Sequence, residues 1–314
     1  MKLLFIADPL EGFKTYKDST FAMMRAGAAR GHELFACEPR DISWRSDGKV
    51  SAPLREIALT GQASAWFSER AVTTLPIAAL DAVVMRKDPP FDSEYFYATH
   101  LLQQAEREGA RVFNKPVALR DHSEKLAIME FAELSAPTLV TRDENEVRRF
   151  HAEHADIILK PLDGMGGMGI FRVGPDGLNL GSIVETLNKG GAQTVMVQRY
   201  LTEIAQGDKR VLLIGGTPVP FALARIPQGS EIRGNLAVGG KGVAQALSKR
   251  DRAIAEQIGA VLAARGLLLV GLDVIGDFVT EINVTSPTGF QEIMQQTGFD
   301  VATMFIEALE RAVD

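Results

Sequence analysis

The sequence predicts an α/β protein with two regions of different character. Before about residue 120, short apolar runs alternate with helix-like periodicity, which is typical of an open sheet covered by helices. From Lys125 onward, glycines gather in loops between short β-type runs. The length of 314 residues suits two domains of ordinary size. We therefore expect an amino-terminal open α/β domain over residues 1–120 and a second α/β domain over residues 121–314.

The first domain begins with an apolar strand at residues 3–7. Asp18, Ser19 and Thr20 then offer N-cap side chains for a helix over residues 21–29. No Gly-x-Gly-x-x-Gly follows the first strand, so the common dinucleotide-binding fingerprint is missing and hydride chemistry loses its main support. The remaining predicted elements are strands at residues 33–37, 81–85 and 112–114 and a helix over residues 96–108.

The second domain combines short strands with three helices, and no internal repeat divides it. The boundary near residue 120 therefore rests on the change in glycine usage. The predicted strands lie at residues 157–160, 195–198, 211–214, 221–224, 267–272 and 279–284. The predicted helices lie at residues 182–188, 252–265 and 301–312, and the charge-rich residues 146–154 are expected to form a further, solvent-exposed helix.

Composition narrows the class of protein. Thirty-four basic against forty acidic residues give a net charge of −6, which argues against a general nucleic-acid or membrane surface. A single cysteine, Cys37, excludes an internal disulfide framework and a multi-cysteine zinc site. No apolar run approaches the roughly 18 residues of a membrane span. We expect a cytoplasmic protein without nucleic-acid or membrane partners.

The sharpest local feature is a strand that ends in Lys160 and runs into a glycine-rich loop. Glycines let backbone N–H groups converge on an anion, and the lysine adds positive charge for phosphate oxygens. The pattern is not a Walker motif, because no Gly-x-x-x-x-Gly-Lys-Ser/Thr occurs. The alternative to a phosphate-binding loop is a glycine-rich hairpin turn with a solvated lysine and no ligand. The loop glycines are Gly164, Gly166, Gly167 and Gly169.

A second constellation surrounds the Gly276-Asp277 turn. A hairpin centred on Asp277 would place Asp273 opposite Glu281, with Asn283 on the same face. Two carboxylates and an amide oxygen on one face repel unless a cation joins them, and hard oxygen ligands suit Mg²⁺. The alternative is the solvated polar face of an edge hairpin.

Basic side chains and a long loop complete the candidates. Arg210 opens one strand, Arg225 closes the next and Arg86 follows the apolar residues 82–85, where ligands of open α/β sheets tend to bind. Residues 226–242 contain five glycines and little periodicity, as expected of a lid that excludes water from a reactive intermediate. Taken singly, each arginine is more often a solvated surface charge.

In this order, these features resemble the ATP-grasp ligases and, more narrowly, the bacterial glutathione synthetases. The resemblance spans essentially the whole chain and is carried by four blocks, of which the first and last are the most specific. The blocks are Met-Arg-Lys-Asp-Pro-Pro-Phe-Asp at 85–92, Lys-Pro-Leu-Asp-Gly-Met-Gly-Gly at 160–167, Ala-Arg-Ile-Pro-Gln-Gly at 224–229 and Thr-Glu-Ile-Asn-Val-Thr-Ser-Pro-Thr at 280–288. The resemblance implies a pre-ATP-grasp domain followed by an ATP-grasp fold.

The resemblance also implies a reaction and a role for each candidate residue. The reaction joins γ-glutamylcysteine to glycine through an acyl phosphate while ATP becomes ADP and phosphate, with Mg²⁺ or Mn²⁺ as the metal. The implied ATP-binding residues are Lys125, Lys160, Gly164, Gly166, Gly167, Gln198, Arg199, Tyr200, Leu201 and Asp208. The implied metal ligands are Asp273, Glu281 and Asn283, and the implied catalytic arginines are Arg210 and Arg225. The implied peptide and glycine contacts are Arg86, Arg233, Asn235, Ser286, Pro287 and Thr288.

Two other functions stay open at this level. One is an ATP-grasp ligase that joins a different acid and amine, and the other is a regulatory ATP-binding module without turnover. The resemblance further implies a homo-oligomer, a tetramer in that family.

Overall fold

The computed structural model describes residues 1–62 and 64–314 and contains three β-sheets with helices packed on them. The first sheet has six strands in the order β4-β3-β2-β1-β5-β6. Its strands are β1 (Lys2–Ile6), β2 (Glu33–Cys37), β3 (Ser51–Leu59), β4 (Phe67–Pro76), β5 (Ala82–Met85) and β6 (Val112–Phe113). Its helices are α1 (Ser19–Ala29), α2 (Ser93–Arg107) and α3 (Pro116–Asp121).

The centre of this sheet is parallel and covered on both faces. β1 pairs with β2 and β5 in parallel, and residues 3–6 of β1 are fully buried. α1 begins at Ser19, two residues before the predicted start, because the Asp18 carboxylate caps it by accepting from the Phe21 N–H at 2.7 Å. Arg86 directly follows β5 and therefore lies at the carboxyl edge of the parallel strands.

The second sheet has four antiparallel strands in the order β7-β10-β8-β9. The predicted glycine-rich loop joins β8 to the edge strand β9, so it lies at one edge of this sheet. A stretch of 3₁₀ helix at Leu126–Leu134 leads into it. Its elements are β7 (Thr138–Thr141), α4 (Glu144–His154), β8 (Ile157–Pro161), β9 (Phe171–Val173), α5 (Leu180–Asn188) and β10 (Val195–Arg199).

The third sheet has five antiparallel strands in the order β13-β12-β11-β14-β15. The predicted lid connects β12 to β13 and contains one 3₁₀ turn at Leu236–Val238. The strands are β11 (Asp208–Ile214), β12 (Thr217–Ile226), β13 (Lys241–Ala246), β14 (Leu269–Ile275) and β15 (Phe278–Asn283). The helices are α6 (Lys249–Ala264), α7 (Phe290–Thr297) and α8 (Val301–Val313).

The first and third sheets share apolar cores through α8. Leu3 and Phe5 of β1 belong to the same buried cluster as Phe305 and Ile306 of α8. Gly27 of α1 permits this close packing, since a Cβ there would lie 3.2 Å from Leu3 and 3.7 Å from Ile306. Helix α8, which follows the third sheet in the chain, therefore completes the apolar core of the first sheet.

The structure confirms the α/β class and the strands and helices predicted from apolar patterns. The prediction was incomplete, because it missed β3, β4, β7, β9, β13, α3 and α7. β4 is the clearest case: almost all of its residues are exposed on both faces, so no alternation marks it in the sequence. Among the described residues, no helix has the length and apolar character needed to cross a membrane.

Asn114 ties the first sheet to the third. Its Nδ2 donates to the carbonyls of Leu269 at 2.7 Å and Val284 at 2.8 Å, and its Oδ1 accepts from the Leu269 N–H at 2.9 Å. We expect Asn114→Ala to lower the free energy of unfolding by about 3 kcal/mol, because three buried backbone groups lose their partner. Urea unfolding at 25 °C measures this change.

Asn145→Ala is the matched control for that variant. Asn145 is exposed at the start of α4, and we expect its truncation to leave the unfolding midpoint within error. Equal midpoints for wild type and Asn114→Ala would contradict the assigned role of Asn114.

Candidate active site

A cavity of about 550 Å³ is lined by strand residues of the second and third sheets and by residues of α1 and the loops at the edge of the first sheet. It gathers every candidate site residue except Pro287, whose carbonyl instead accepts from Arg86 at 3.1 Å. The candidates on its wall are Arg86, Lys125, Lys160, Gly164, Gly166, Gly167, Gln198, Arg199, Tyr200, Leu201, Asp208, Arg210, Arg225, Arg233, Asn235, Asp273, Glu281, Asn283, Ser286 and Thr288.

The glycine-rich loop closes against the lid. Gly166 and Gly167 have φ of 61° and 86°, a backbone region that favours glycine. A Cβ on Gly167 would lie 2.7 Å from Asn235 Oδ1. Glycine at this position therefore lets the lid approach the loop backbone closely.

Two buried lysines lie beside β15 at the same end of the cavity. Lys125 Nζ donates to Gly164 O at 2.5 Å and to Glu281 Oε1 at 3.2 Å, and Lys160 Nζ donates to Thr280 O at 3.2 Å. Burial lowers the pKa of Lys160, while the nearby Glu281 acts in the opposite direction. Two ammonium groups beside a glycine loop form a site suited to phosphate oxygens.

A buried network of two arginines and two aspartates crosses the third sheet. Strand register puts Arg210 opposite Asp273 and Arg225 opposite Asp208. Arg210 Nε donates to Asp273 Oδ1 at 2.6 Å, and Arg225 Nη2 lies 2.8 Å from Asp273 Oδ2. All four residues are at most 9% exposed, so none of these charges is a solvated surface group.

Burial and pairing act differently on the two aspartates. Burial disfavours the charged form of Asp273, but Arg210 and Arg225 hold its pKa well below the usual range. Burial raises the pKa of Asp208 to about 6 against the pull of Arg225. Asp208 Oδ1 has no hydrogen-bond partner in the described structure, so it can still accept from a ligand.

The predicted hairpin register is confirmed, and it gathers donors that fit a hard cation. Asp273 faces Glu281 across β14 and β15, with a bulge after Asp273. Asn283 Nδ2 donates to Gly271 O at 3.1 Å, which leaves its Oδ1 available. A carboxylate offers about four lone-pair directions, and the arginines occupy three of those on Asp273.

The amide oxygen of Asn283 is needed for this donor set. Within residues 1–62 and 64–314, no group of three His, Cys, Asp or Glu side chains could hold a metal ion. Two carboxylates and an amide oxygen nevertheless suit Mg²⁺ or Mn²⁺, which accept oxygen ligands and keep sites for substrate phosphates.

Residues 198–201 lie at the end of β10 and begin the connection from the second sheet to the third. Gln198 Nε2 donates to Thr138 Oγ1 at 2.9 Å, which fixes its side chain. The Arg172 guanidinium carbon lies 3.8 Å from the Tyr200 ring centroid and holds that ring by a cation–π contact. These contacts preorganise one wall of the cavity.

The lid residue Arg233 joins the lid to the glycine-rich loop. Its Nη1 donates to Gly167 O at 2.9 Å, and its Nε donates to Glu231 Oε1 at 2.9 Å. This pairing holds the pKa of Glu231 at about 2. The lid is thus tied to the loop that it covers.

The cavity also contains charged side chains that the sequence prediction missed. Asp18, Glu124 and Glu292 line its wall. Glu124 accepts from the Val284 and Thr285 N–H groups and thereby fixes the segment after β15. Glu124 could have been predicted as a site residue because it directly precedes the candidate Lys125. Glu292 could not, because the helix that contains it, α7, was not predicted.

Comparison with known families identifies the chain. The sequence model for the prokaryotic glutathione synthetase N-terminal domain matches residues 1–120, and that for the ATP-grasp domain of the same family matches residues 124–298. The chain belongs to the prokaryotic glutathione synthetase family.

Members of the glutathione synthetase family from other bacteria align over nearly the full length. The glutathione synthetase of Ralstonia nicotianae is 62% identical over 312 residues, which cover 99% of this chain and 96% of that protein. That of Nitrosomonas europaea is 55% identical over 316 residues, covering 100% and 98% of the two chains.

Solved structures place the glutathione synthetase family fold among the ATP-grasp ligases. D-cycloserine synthetase DcsG superposes with a TM-score of 0.72 at 16% identity over 100% of both chains. The ATP-grasp ligase PsnB bound to its minimal precursor gives 0.65 at 21% identity over 100% of this chain and 99% of PsnB. The expected ATP-grasp fold is confirmed.

Proposed function

We propose that this chain joins γ-glutamylcysteine to glycine with ATP, giving glutathione, ADP and phosphate. The observation that carries this assignment is that the predicted site residues converge on one cavity in a chain 55–62% identical to glutathione synthetases over its full length. The same evidence does not favour a ligase of other substrates or a module without turnover.

The reaction needs activation of an unreactive carboxylate. The cysteinyl carboxylate oxygen attacks the γ-phosphorus of ATP and ADP leaves, which forms an acyl phosphate. The glycine nitrogen then attacks the acyl carbon, the amide C–N bond forms, phosphate leaves and the amine proton passes to phosphate or solvent. The protein must therefore bring anions together, neutralise them and exclude water.

In our proposal, one end of the cavity binds ATP. Lys125 and Lys160 hold phosphate oxygens, and the backbone N–H groups of Gly164, Gly166 and Gly167 cradle them. The adenine pocket is formed by Gln198, Arg199, Tyr200 and Leu201, and Asp208 faces the ribose. Support comes from the burial of both lysines and from the unpartnered Asp208 Oδ1.

Arg210 and Arg225 neutralise the charge that develops on the acyl phosphate. Asp273 fixes both guanidinium groups in place before substrate arrives, so no reorganisation is needed at the moment of reaction. Asp273, Glu281 and Asn283 would hold Mg²⁺ or Mn²⁺. When bound, the metal would supply positive charge that neutralises phosphate oxygens.

The lid and the far end of the cavity bind the acid and the amine. Arg233 and Asn235 hold the peptide under the lid, together with Arg225. Arg86 contacts substrate, and residues 286–288 bind near the glycine carboxylate. Support comes from the hydrogen bond that Arg233 Nη1 donates to Gly167 O, which joins the lid to the glycine-rich loop.

We further propose two domains over residues 1–120 and 121–314 and a cytoplasmic homo-oligomer, a tetramer by family resemblance. We propose no nucleic-acid or membrane partner. Size-exclusion chromatography with light scattering measures the assembly.

An ADP-release assay with substrate omission tests the function. We expect steady turnover only when γ-glutamylcysteine, glycine and Mg²⁺ are all present with ATP, and glutathione as the product by mass. Unchanged ADP release after omission of either amino-acid substrate would overturn the assignment. Tight ATP binding without acid-dependent ADP release would instead indicate a regulatory module, and turnover with another acid or amine a different ligase.

A further inference from the structure

A short segment after β15, residues 284–288, includes the residues proposed to bind near the glycine carboxylate, and we call it the amine segment. Its backbone is anchored by side chains that lie far away in the sequence. Asn114 Nδ2 donates to Val284 O at 2.8 Å, and Arg86 Nη2 donates to Pro287 O at 3.1 Å. Both donors belong to the amino-terminal region, so the conformation of the amine segment depends on contacts between the two halves of the chain.

Glu124 makes more hydrogen bonds to the amine segment than either of these anchors. Its Oε1 accepts from the Val284 N–H at 2.9 Å, from the Thr285 N–H at 3.0 Å and from Thr285 Oγ1 at 2.8 Å. Among the described residues, no other group accepts from these three donors. Val284 and Thr285 are at most 3% exposed, so loss of the carboxylate oxygen would leave three buried donors without a partner.

The next residue in the chain reaches the phosphate end of the cavity. Lys125 Nζ donates to Gly164 O of the glycine-rich loop at 2.5 Å and to Glu281 Oε1 at 3.2 Å. The adjacent residues Glu124 and Lys125 therefore contact the amine segment and the glycine-rich loop, respectively. The amine must meet an acyl phosphate formed beside that loop, and a misplacement of about 1 Å between reactants can cost about 100-fold in rate.

We propose that Glu124 is a positioning residue for the incoming amine, because it holds the amine segment in the conformation that binds glycine. This inference rests on the proposed function and adds a residue that acts on glycine through Val284 and Thr285. The property that matters is a hydrogen-bond acceptor at Oε1, and the negative charge of the carboxylate is dispensable. If the segment is ordered for only part of the time, the apparent affinity for glycine falls by that fraction.

Steady-state kinetics of Glu124→Ala and Glu124→Gln test the proposal. We expect Glu124→Ala to raise the KM for glycine about 10- to 100-fold, as for an ordered fraction of about 10% to 1%. The KM values for ATP and γ-glutamylcysteine should stay within about twofold. Glu124→Gln should bring the KM for glycine back to within about threefold of wild type, because its carbonyl oxygen still accepts hydrogen bonds. Glu256→Ala on the exposed face of α6 is the matched control.

Hydroxylamine in place of glycine separates lost positioning from general damage. It is a nucleophile without a carboxylate, so its attack on the acyl phosphate does not depend on the amine segment. Wild type and Glu124→Ala should therefore form the hydroxamate of γ-glutamylcysteine at rates within about twofold of each other.

Three results would overturn the inference: an unchanged KM for glycine in Glu124→Ala, an equal loss in Glu124→Gln, or an equal loss with glycine and hydroxylamine. If Glu124→Ala does not fold, Thr285→Val decides, because it removes one donor and keeps the shape of the side chain. We expect it to raise the KM for glycine about 3- to 10-fold, and an unchanged value would refute the role of Glu124.

The same measurements separate this inference from the proposed function. A wild type that releases no ADP with γ-glutamylcysteine and glycine refutes the proposed function itself. Turnover by wild type with unaffected variants refutes only the role of Glu124.

Discussion

Glu281→Gln is expected to reduce turnover at least about 100-fold at moderate Mg²⁺ while the fold stays intact. Glu281 lies opposite Asp273 and accepts one hydrogen bond, from Lys125, so its carboxylate has capacity left for a cation. The neutral amide keeps the shape and removes the charge that attracts the metal. Turnover titrated with Mg²⁺ and with Mn²⁺ measures the change.

A second readout separates metal binding from general damage. Thermal melting without metal should be similar for Glu281→Gln and wild type, whereas stabilisation by Mg²⁺ with ATP should be reduced in the variant. Turnover within twofold of wild type at every Mg²⁺ concentration would exclude Glu281 as a metal ligand.

Asp273→Asn is expected to affect both stability and turnover. Asp273 is the shared acceptor of Arg210 and Arg225 and is 3% exposed, so its loss leaves buried guanidinium charge without compensation. We expect the free energy of unfolding to fall by about 3 kcal/mol and kcat to fall at least about 100-fold. Urea unfolding and ADP release measure the two effects.

Asp47→Asn is the matched control. Asp47 also accepts two hydrogen bonds from one arginine, Arg45, but both side chains are exposed. Screening by water makes such surface pairs weak, so the control should unfold like wild type. A similar loss in both variants would mean that burial of the Asp273 network has no special importance.

Local patterns were enough to predict part of the site. The Gly276-Asp277 turn predicts the hairpin, and strand alternation places Asn283 on the same face as Glu281, but the pairing of Asp273 with Glu281 also needs the bulge after Asp273. Likewise, glycines in a short loop after Lys160 indicate close backbone approach, and Gly167 does lie against Asn235. In both cases the signal lies in a short stretch of sequence, although Asn235, which Gly167 approaches, belongs to the distant lid.

The remaining features depend on contacts between distant segments. The pairing of Arg210 with Asp273 is set by the register of β11 on β14, 63 residues apart, and no local pattern encodes that register. Glu292 was missed because helix α7, which brings it to the wall of the cavity, was itself missed. β4 was missed because its side chains face water and carry no periodic signal.

The packing of α8 on α1 also constrains how the chain folds as it is made. At the Arg30–Glu310 ion pair the two helices are 280 residues apart in sequence. Synthesis proceeds from the amino terminus, so α1 emerges from the ribosome long before the helix that covers it. During that interval the part of its apolar face that α8 covers has no native partner and is open to chaperones or to association with other nascent chains.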